Sequence, residues 1–134
     1  MMTVQPLQIV YIEYRDARLY AEVIQSASRD RIWARPLMLV SGLPSRADSR
    51  RRAISEAAED SSRSSLALFD LDQAPDLVWP MSAFEPAMDV EFFSLMVHLK
   101  VNDDQQPPEK AQLALRHFLQ GCWYQPQPVG YGNP

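Results

Sequence analysis

Apolar and polar side chains alternate in three stretches near the start of the chain, over Leu7–Ile12, Leu19–Gln25 and Arg31–Val40. A period of two is typical of β-strands, and the first stretch carries apolar residues on both of its faces. The polar segments between these stretches are too short for the crossover that parallel strands need. The pattern therefore predicts an antiparallel meander of three strands. Pro36 cannot donate a backbone hydrogen bond, which predicts an edge, a bend or a bulge in the third strand.

The composition changes between Ser41 and Ser65, where Ser, Ala, Arg and Glu dominate and large apolar residues are scarce. Connections of this length are unusual within a compact domain and are usually functional or disordered. We therefore predict an inserted, solvated Arg/Ser-rich loop over residues 41–65 that is helical only in part. The apolar run "LALFDL" that follows, Leu66–Leu71, predicts a fourth strand, and Asp76–Pro80 predicts a short fifth strand that Pro80 stops.

The hydrophobic period changes to three and four residues from Asp89 onward, which predicts an amphipathic helix with Asp89 as its N-cap. The stripe expected to face the core consists of Val90, Phe93, Met96 and Val97, broadened by Phe92, Leu95 and Leu99.

A second helix is expected from Pro107 and Pro108, because proline suits the first helical turn. Gly121 stands where a C-terminal cap is expected. The core face of this helix is predicted to consist of Ala111, Leu115, Phe118, Leu119 and Cys122.

Strands first and helices last predict an α+β domain: a small antiparallel, SH3-like β-sheet or barrel of about five strands followed by two C-terminal helices. We expect one domain over residues 1–123 and a flexible Pro/Gln-rich tail over residues 124–134.

The composition limits which classes of partner and which cellular compartment we expect. The 134 residues have a formal net charge of −4, which gives no general attraction to nucleic acid or anionic membrane. No apolar run approaches the roughly 20 residues of a membrane span, and the first residues do not resemble a signal peptide. The single cysteine, Cys122, suits a reducing compartment. We expect a soluble, cytoplasmic protein.

The most suggestive chemical motif is Asp70-Leu71-Asp72, which follows an apolar strand and resembles the first motif of the haloacid-dehalogenase phosphatases. A magnesium-dependent hydrolase would use Asp70 as nucleophile and Asp72 as acid/base. The residues after Asp72 are Gln-Ala-Pro rather than a Gly-Thr-like phosphate turn, and the preceding strands predict a meander rather than a doubly wound sheet. We therefore favour a turn in which Asp72 and Asp76 bind backbone amides. No catalytic residue, metal or cofactor is assigned.

The basic residues are concentrated around Arg50, Arg51 and Arg52. Five of the thirteen Lys and Arg residues lie in the 41–65 segment, but four acidic residues there leave it a net charge of only +1. No aromatic residue interrupts it, so bases would have no stacking platform. An RNA-associated module that uses Arg50–Arg52 is kept as an alternative, although the charge argues against nucleic acid as the partner.

The remaining nucleophiles and metal ligands are few. His98 and His117 lie on different predicted helices, and no Cys/His spacing typical of a zinc site recurs. Cys122 continues an apolar helix face and is interpreted as a core residue rather than as a nucleophile paired with His117.

Large aromatic side chains give the clearest indication of a binding surface. Such residues anchor partners at interfaces when they lie at a rim. A sheet edge near Pro36 could also accept an extended peptide from another protein. The candidate partner-binding residues are Trp33, Pro36, Trp79, Pro80, Trp123 and Tyr124.

Three features together resemble a family of small cyanobacterial proteins, the CcmS-like assembly factors of β-carboxysomes. They are "RPLMLV" at Arg35–Val40, "LFDLDQAPDLVWP" at Leu68–Pro80 and the two-helix ending, and the resemblance covers Leu7 to Gln120 apart from the Arg-rich loop. It implies a non-enzymatic, chaperone-like protein that binds an extended tail of a shell protein. The leading hypothesis is therefore a protein-binding or assembly-factor domain without a catalytic centre.

Overall fold

The computed structural model describes residues 5–59, 66–101 and 107–124. The strands are β1 (Ile9–Tyr14), β2 (Ala17–Ser28), β3 (Arg31–Ser41), β4 (Ala67–Asp70), β5 (Leu77–Pro80) and β6 (Glu85–Pro86), and the helices are α1 (Ala47–Glu59), α2 (Asp89–Val101) and α3 (Pro108–Tyr124). No helix in these described ranges is long and apolar enough to cross a membrane. The predicted α+β order, with strands first and two helices at the end, is confirmed. The predicted tail over 124–134 lies outside the described residues beyond Tyr124.

The strands form one antiparallel sheet whose centre is the predicted meander. β2 pairs with β1 on one side and with β3 on the other, and the turn between β1 and β2 places Arg15 at a φ of 55°. The order is β4-β3-β2-β1-β6, and β5 pairs with the same edge of β3 as β4 does. The sheet is open, so the sheet alternative is correct and the barrel alternative is not. β6 adds two residues that the pattern did not predict.

Pro36 occupies a break in the pairing of β3. The register shifts between Tyr20, which lies opposite Met38, and Ala21, which lies opposite Pro36, so that one extra residue is accommodated in β3. On the other edge of β3, residues 31–34 pair with β5 and residues 38–41 pair with β4. Pro36 therefore falls where β3 has neither β4 nor β5 beside it. The predicted bulge is confirmed, and its cause is the missing N–H of proline.

Hydrophobic cores lie on both faces of the sheet because β1, β2 and β3 carry apolar residues at successive positions. One core includes Val10, Leu19 and Ile32 and is covered by α3, while the other is built around Tyr20 and Met38 and is covered by α1 and α2. Full burial of one such large side chain contributes about 1.5–3 kcal/mol. Two cores explain why helices are needed on both sides.

The segment predicted as a solvated loop over residues 41–65 contains a helix of 13 residues, α1. Ile54 and Ala57 are fully buried against the sheet, and Leu43 is buried just before the helix. His98 of α2 donates through Nε2 to the carbonyl oxygen of Ala58, at 2.6 Å. The part of the segment predicted to be helical is therefore present, whereas a solvated loop is the wrong description of it, because Ile54 and Ala57 are enough to dock α1 against the sheet.

Gly121 lies inside α3 rather than at a C-terminal cap, since α3 continues to Tyr124. A Cβ atom added at Gly121 would overlap Cε2 of Tyr14, so the ring of Tyr14 occupies the space of a side chain. The same ring packs edge-on against Phe118, with 6.2 Å between the centroids. Glycine is required here by close packing, and the cap prediction is wrong for that reason.

We expect Gly121→Ala to destabilise the fold by about 1–3 kcal/mol, because the new methyl group must displace the Tyr14 ring. In an open helical position the same change would stabilise by about 1 kcal/mol. Urea unfolding of the variant, alone and combined with Tyr14→Ala, measures the effect. The penalty should shrink or reverse when the ring is absent; a stabilising Gly121→Ala with Tyr14 present would contradict the contact.

Candidate functional site

The Asp70-x-Asp72 motif forms a turn at the end of β4. Oδ1 of Asp70 accepts a hydrogen bond from the backbone N–H of Asp72 at 2.9 Å, and Oδ2 accepts one from Nζ of Lys100 at 2.8 Å. Asp70, rather than Asp72 or Asp76 as predicted, supplies the amide contact. In the part of the chain that the structure describes, no three His, Cys, Asp or Glu residues are grouped so that they could hold a metal ion. The hydrolase alternative stays a prediction.

Asp76 binds the side chain of Trp33, and no backbone amide of the described residues donates to it. Its Oδ2 accepts a hydrogen bond from Nε1 of Trp33 at 3.0 Å, and Oδ1 lies 3.5 Å from Nε of Arg35. Trp33 is half-buried, whereas Pro36 is fully buried. Pro36 therefore offers no side-chain surface to a peptide, and its place among the partner-binding residues is corrected.

The three neighbouring arginines have different roles. Arg50 donates through Nε to the carbonyl oxygen of Pro44 at 2.6 Å and through Nη2 to the carbonyl oxygen of Arg15. These bonds attach the start of α1 to the turn between β1 and β2. Arg51 and Arg52 are exposed. Arg50 thus serves the fold, and only the other two face solvent, while the RNA alternative stays untested.

Cys122 packs at the margin of the core beneath α3, as predicted. Burial raises the pKa of the Cys122 thiol to about 11. The reactive form of cysteine is the thiolate, so this side chain is a weak nucleophile near neutral pH. His117 is exposed, and His98 is bound to Ala58.

Two of the predicted aromatic anchors come together at the α3 side of the sheet. The rings of Trp79 and Trp123 meet edge to face with 5.8 Å between their centroids, and Trp123 is 59% exposed. Pro80 is half-buried next to Trp79, while the side chain of Tyr124 lies outside the described residues. Trp33 pairs with Val78, and its neighbour Ile32 pairs with Trp79, so Trp33 and Trp79 lie on opposite faces of the sheet. The predicted anchors therefore do not form one surface.

Helix α2 is rotated relative to the predicted stripe. Its buried residues are Phe92, Leu95 and Leu99, which the sequence placed only at the margins of the stripe. Of the residues expected at its centre, Met96 packs against the core, but Val90, Phe93 and Val97 face outward and, together with Val101, are 57–77% exposed. The sequence pattern could not show which side of α2 is buried. A helix that is apolar around its whole circumference shows no preferred side, so contacts elsewhere in the fold decide which side is buried.

We call the outward residues Val90, Phe93, Val97 and Val101 the α2 face. They are spaced at i, i+3, i+7 and i+11 and therefore form one line along three turns of the helix. Isolated exposed apolar residues are ordinary, but a continuous apolar patch usually marks an interaction surface.

A groove of about 590 Å³ runs beside α2 and opens onto the α2 face. Its apolar lining includes Leu7, Ile9, Leu37, Phe93 and Met96, so Phe93 belongs to both surfaces. The charged residues of the lining are Glu22, Asp70, Asp72 and Lys100. The sequence drew no attention to Leu7 as a site residue. The available signal for the α2 face was that the eight apolar residues among the thirteen of α2 are spread around the helix rather than gathered on one side.

No protein-family model, curated protein or solved structure matches this chain.

Proposed function

We propose that this protein is a protein-binding domain and that the α2 face, together with the groove beside it, is its docking surface. The observation that carries the proposal is the outward α2 face itself: four large apolar side chains in line, more than half exposed, on a helix whose opposite side already fills the core. Covering these side chains on binding removes apolar area from water, at about 25 cal/mol for each Å².

The form of this surface favours a helical segment over an extended strand. Spacing at i, i+3, i+7 and i+11 matches the side chains that a second amphipathic helix presents when it lies in a groove. The sequence-based hypothesis of a bound extended peptide relied partly on the sheet near Pro36, where the structure buries the proline. The Trp79–Trp123 pair is a second exposed aromatic site on the other side of the sheet and supports the broader proposal of a binding domain.

A narrower proposal is that the domain acts in the cytoplasm as a non-enzymatic assembly factor for carboxysome shells. Its support is the sequence resemblance to the CcmS-like family, which rests on core patterns rather than on the α2 face. The partner would then be a shell protein.

Photocrosslinking can test the docking surface directly. We would place benzoylphenylalanine at Val97 in the full chain and, as a matched control, at Leu113, a half-exposed apolar residue on α3. In cells of the source organism, position 97 should yield one predominant crosslinked protein that position 113 does not. Equal products at both positions, or none at position 97, would contradict the proposal.

A further inference from the structure

We propose that the partner segment is a cationic amphipathic helix, whose apolar side chains cover the α2 face and whose lysine or arginine reaches the acidic end of the groove. This rests on the proposed docking function and specifies the chemistry of the partner.

The groove combines an apolar floor with an excess of carboxylates. Three carboxylates and one ammonium line it, which leaves a charge of −2, and the ammonium of Lys100 is already bound to Asp70 at 2.8 Å. Glu22 has only a distant cationic partner: Nη1 of Arg35 lies 4.0 Å from its carboxylate, which is the longest distance of an ion pair. Asp72 is exposed and accepts a long hydrogen bond from Nε2 of Gln73 at 3.4 Å, but among the described residues no cation pairs with it. A cationic side chain beside Asp72 would form a charge-assisted hydrogen bond next to apolar surface.

Leu7 gives independent evidence that the groove is built to be covered. It has a φ of 69°, a left-handed conformation that L-residues rarely adopt, and it is 71% exposed at the groove. Its backbone N–H donates to the carbonyl oxygen of Val23 at 2.7 Å, which holds this conformation in place. Glycine or asparagine would satisfy such a turn at lower cost and without exposing apolar area. A strained, exposed leucine is best explained by a contact that it makes with a bound segment.

The dimensions fit a helix of ordinary length. From Val90 to Val101 the α2 face extends about 16 Å, at 1.5 Å for each residue. A partner helix of three to four turns covers this distance, and Phe93 marks the point where its apolar side chains would turn into the groove between Leu7 and Met96.

A second copy of this chain is a weaker candidate for the occupant. It would offer the apolar α2 face, but Lys100 is the only lysine in α2, no arginine is present there, and Lys100 is bound to Asp70. Each copy also carries a formal net charge of −4, so two copies repel each other. Charge complementarity therefore favours a different, cationic protein.

The test uses two synthetic peptides of about 18 residues, or five helical turns. Both carry leucines on one face, and their polar faces carry either lysine and glutamine or glutamate and glutamine. Fluorescence anisotropy with the full chain should show binding of the lysine peptide and at least 10-fold weaker binding of the glutamate peptide. Asp72→Asn should weaken binding of the lysine peptide by about 3- to 10-fold, as expected for loss of one charged contact.

Glu109→Gln, which neutralises an exposed carboxylate on α3, provides the matched control because it alters net charge equally without touching the groove. If Glu109→Gln and Asp72→Asn weaken binding of the lysine peptide equally, or if the two peptides bind with equal affinity, the proposal of a cationic partner is overturned. The proposal of an apolar docking site would remain. Failure of both peptides to bind, or binding that Phe93→Ser leaves unchanged, would count against the docking surface as well. Self-association that displaces the peptides and is abolished by Val97→Asp would identify a second copy as the occupant and overturn this proposal.

Discussion

Leu95→Ala should lower the free energy of unfolding by about 2–5 kcal/mol, the range for truncation of a fully buried leucine. Leu95 is 0% exposed and belongs to the core between α2 and the sheet, together with Tyr20 and Phe92. Few neighbours can move into the space that the lost side chain leaves, because Tyr20 is itself fixed between Tyr11 and Phe92 with its hydroxyl 3.2 Å from Nη1 of Arg18.

Val97→Ala is the matched comparison, two residues further along the same helix. It should change stability by less than about 0.5 kcal/mol, because Val97 faces outward and alanine is the better helix former. Urea unfolding followed by circular dichroism measures both variants. A loss for Val97→Ala as large as that for Leu95→Ala would mean that α2 is rotated towards the stripe predicted from the sequence.

Phe93→Ser should reduce affinity for the protein crosslinked at position 97 by about 30-fold or more, which corresponds to 2 kcal/mol or more at an interface hot spot. Phe93 is more than half exposed and is shared by the α2 face and the groove, and its ring meets that of the core residue Phe92 edge to face, with 5.4 Å between the centroids. Its removal should therefore affect binding far more than folding.

Leu113→Ser supplies the control for this loss, since it removes a half-exposed apolar side chain of similar size from α3. Isothermal titration calorimetry with the purified partner gives the dissociation constants of both variants. An unchanged constant for Phe93→Ser, or an equal loss for Leu113→Ser, would remove the α2 face from the binding surface.

Local chemistry explains what the sequence could predict. The meander follows from alternation with a period of two, and the bulge at Pro36 follows from a residue that lacks a donor. The turn after β4 was predicted because a carboxylate next to a chain reversal readily accepts a backbone N–H, although the carboxylate that does so is that of Asp70 and not of Asp72 or Asp76.

Tertiary contacts explain what the sequence could not predict. α1 docks through Ile54 and Ala57, a buried face that carries a single large apolar side chain in a segment otherwise rich in Ser, Arg and Glu. The side of α2 that is buried depends on the position of the sheet, not on α2 itself. A glycine near the end of a helix usually indicates a C-terminal cap, but Gly121 is required because the ring of Tyr14 packs against its Cα. In all three examples the outcome depends on contacts with residues that are distant in the sequence, which local patterns do not reveal.

The residues of the candidate site also depend on contacts between distant parts of the chain, so the sequence indicates only some of them. Trp79 and Trp123, two of the aromatic residues singled out from the sequence, pack against each other, and their role in binding a partner stays a prediction. Leu7 could not be identified as a site residue from the sequence, because an alternating apolar stretch indicates neither its left-handed backbone nor its position at the groove.

Binding of the partner should cover the α2 face. Methyl NMR of the full chain with a soluble paramagnetic agent measures that coverage directly. On addition of the partner, the methyl groups of Val90, Val97 and Val101 should lose most of their relaxation enhancement, while those of Leu113 should keep theirs. Unchanged enhancement at the three valines in the saturated complex would contradict the claim.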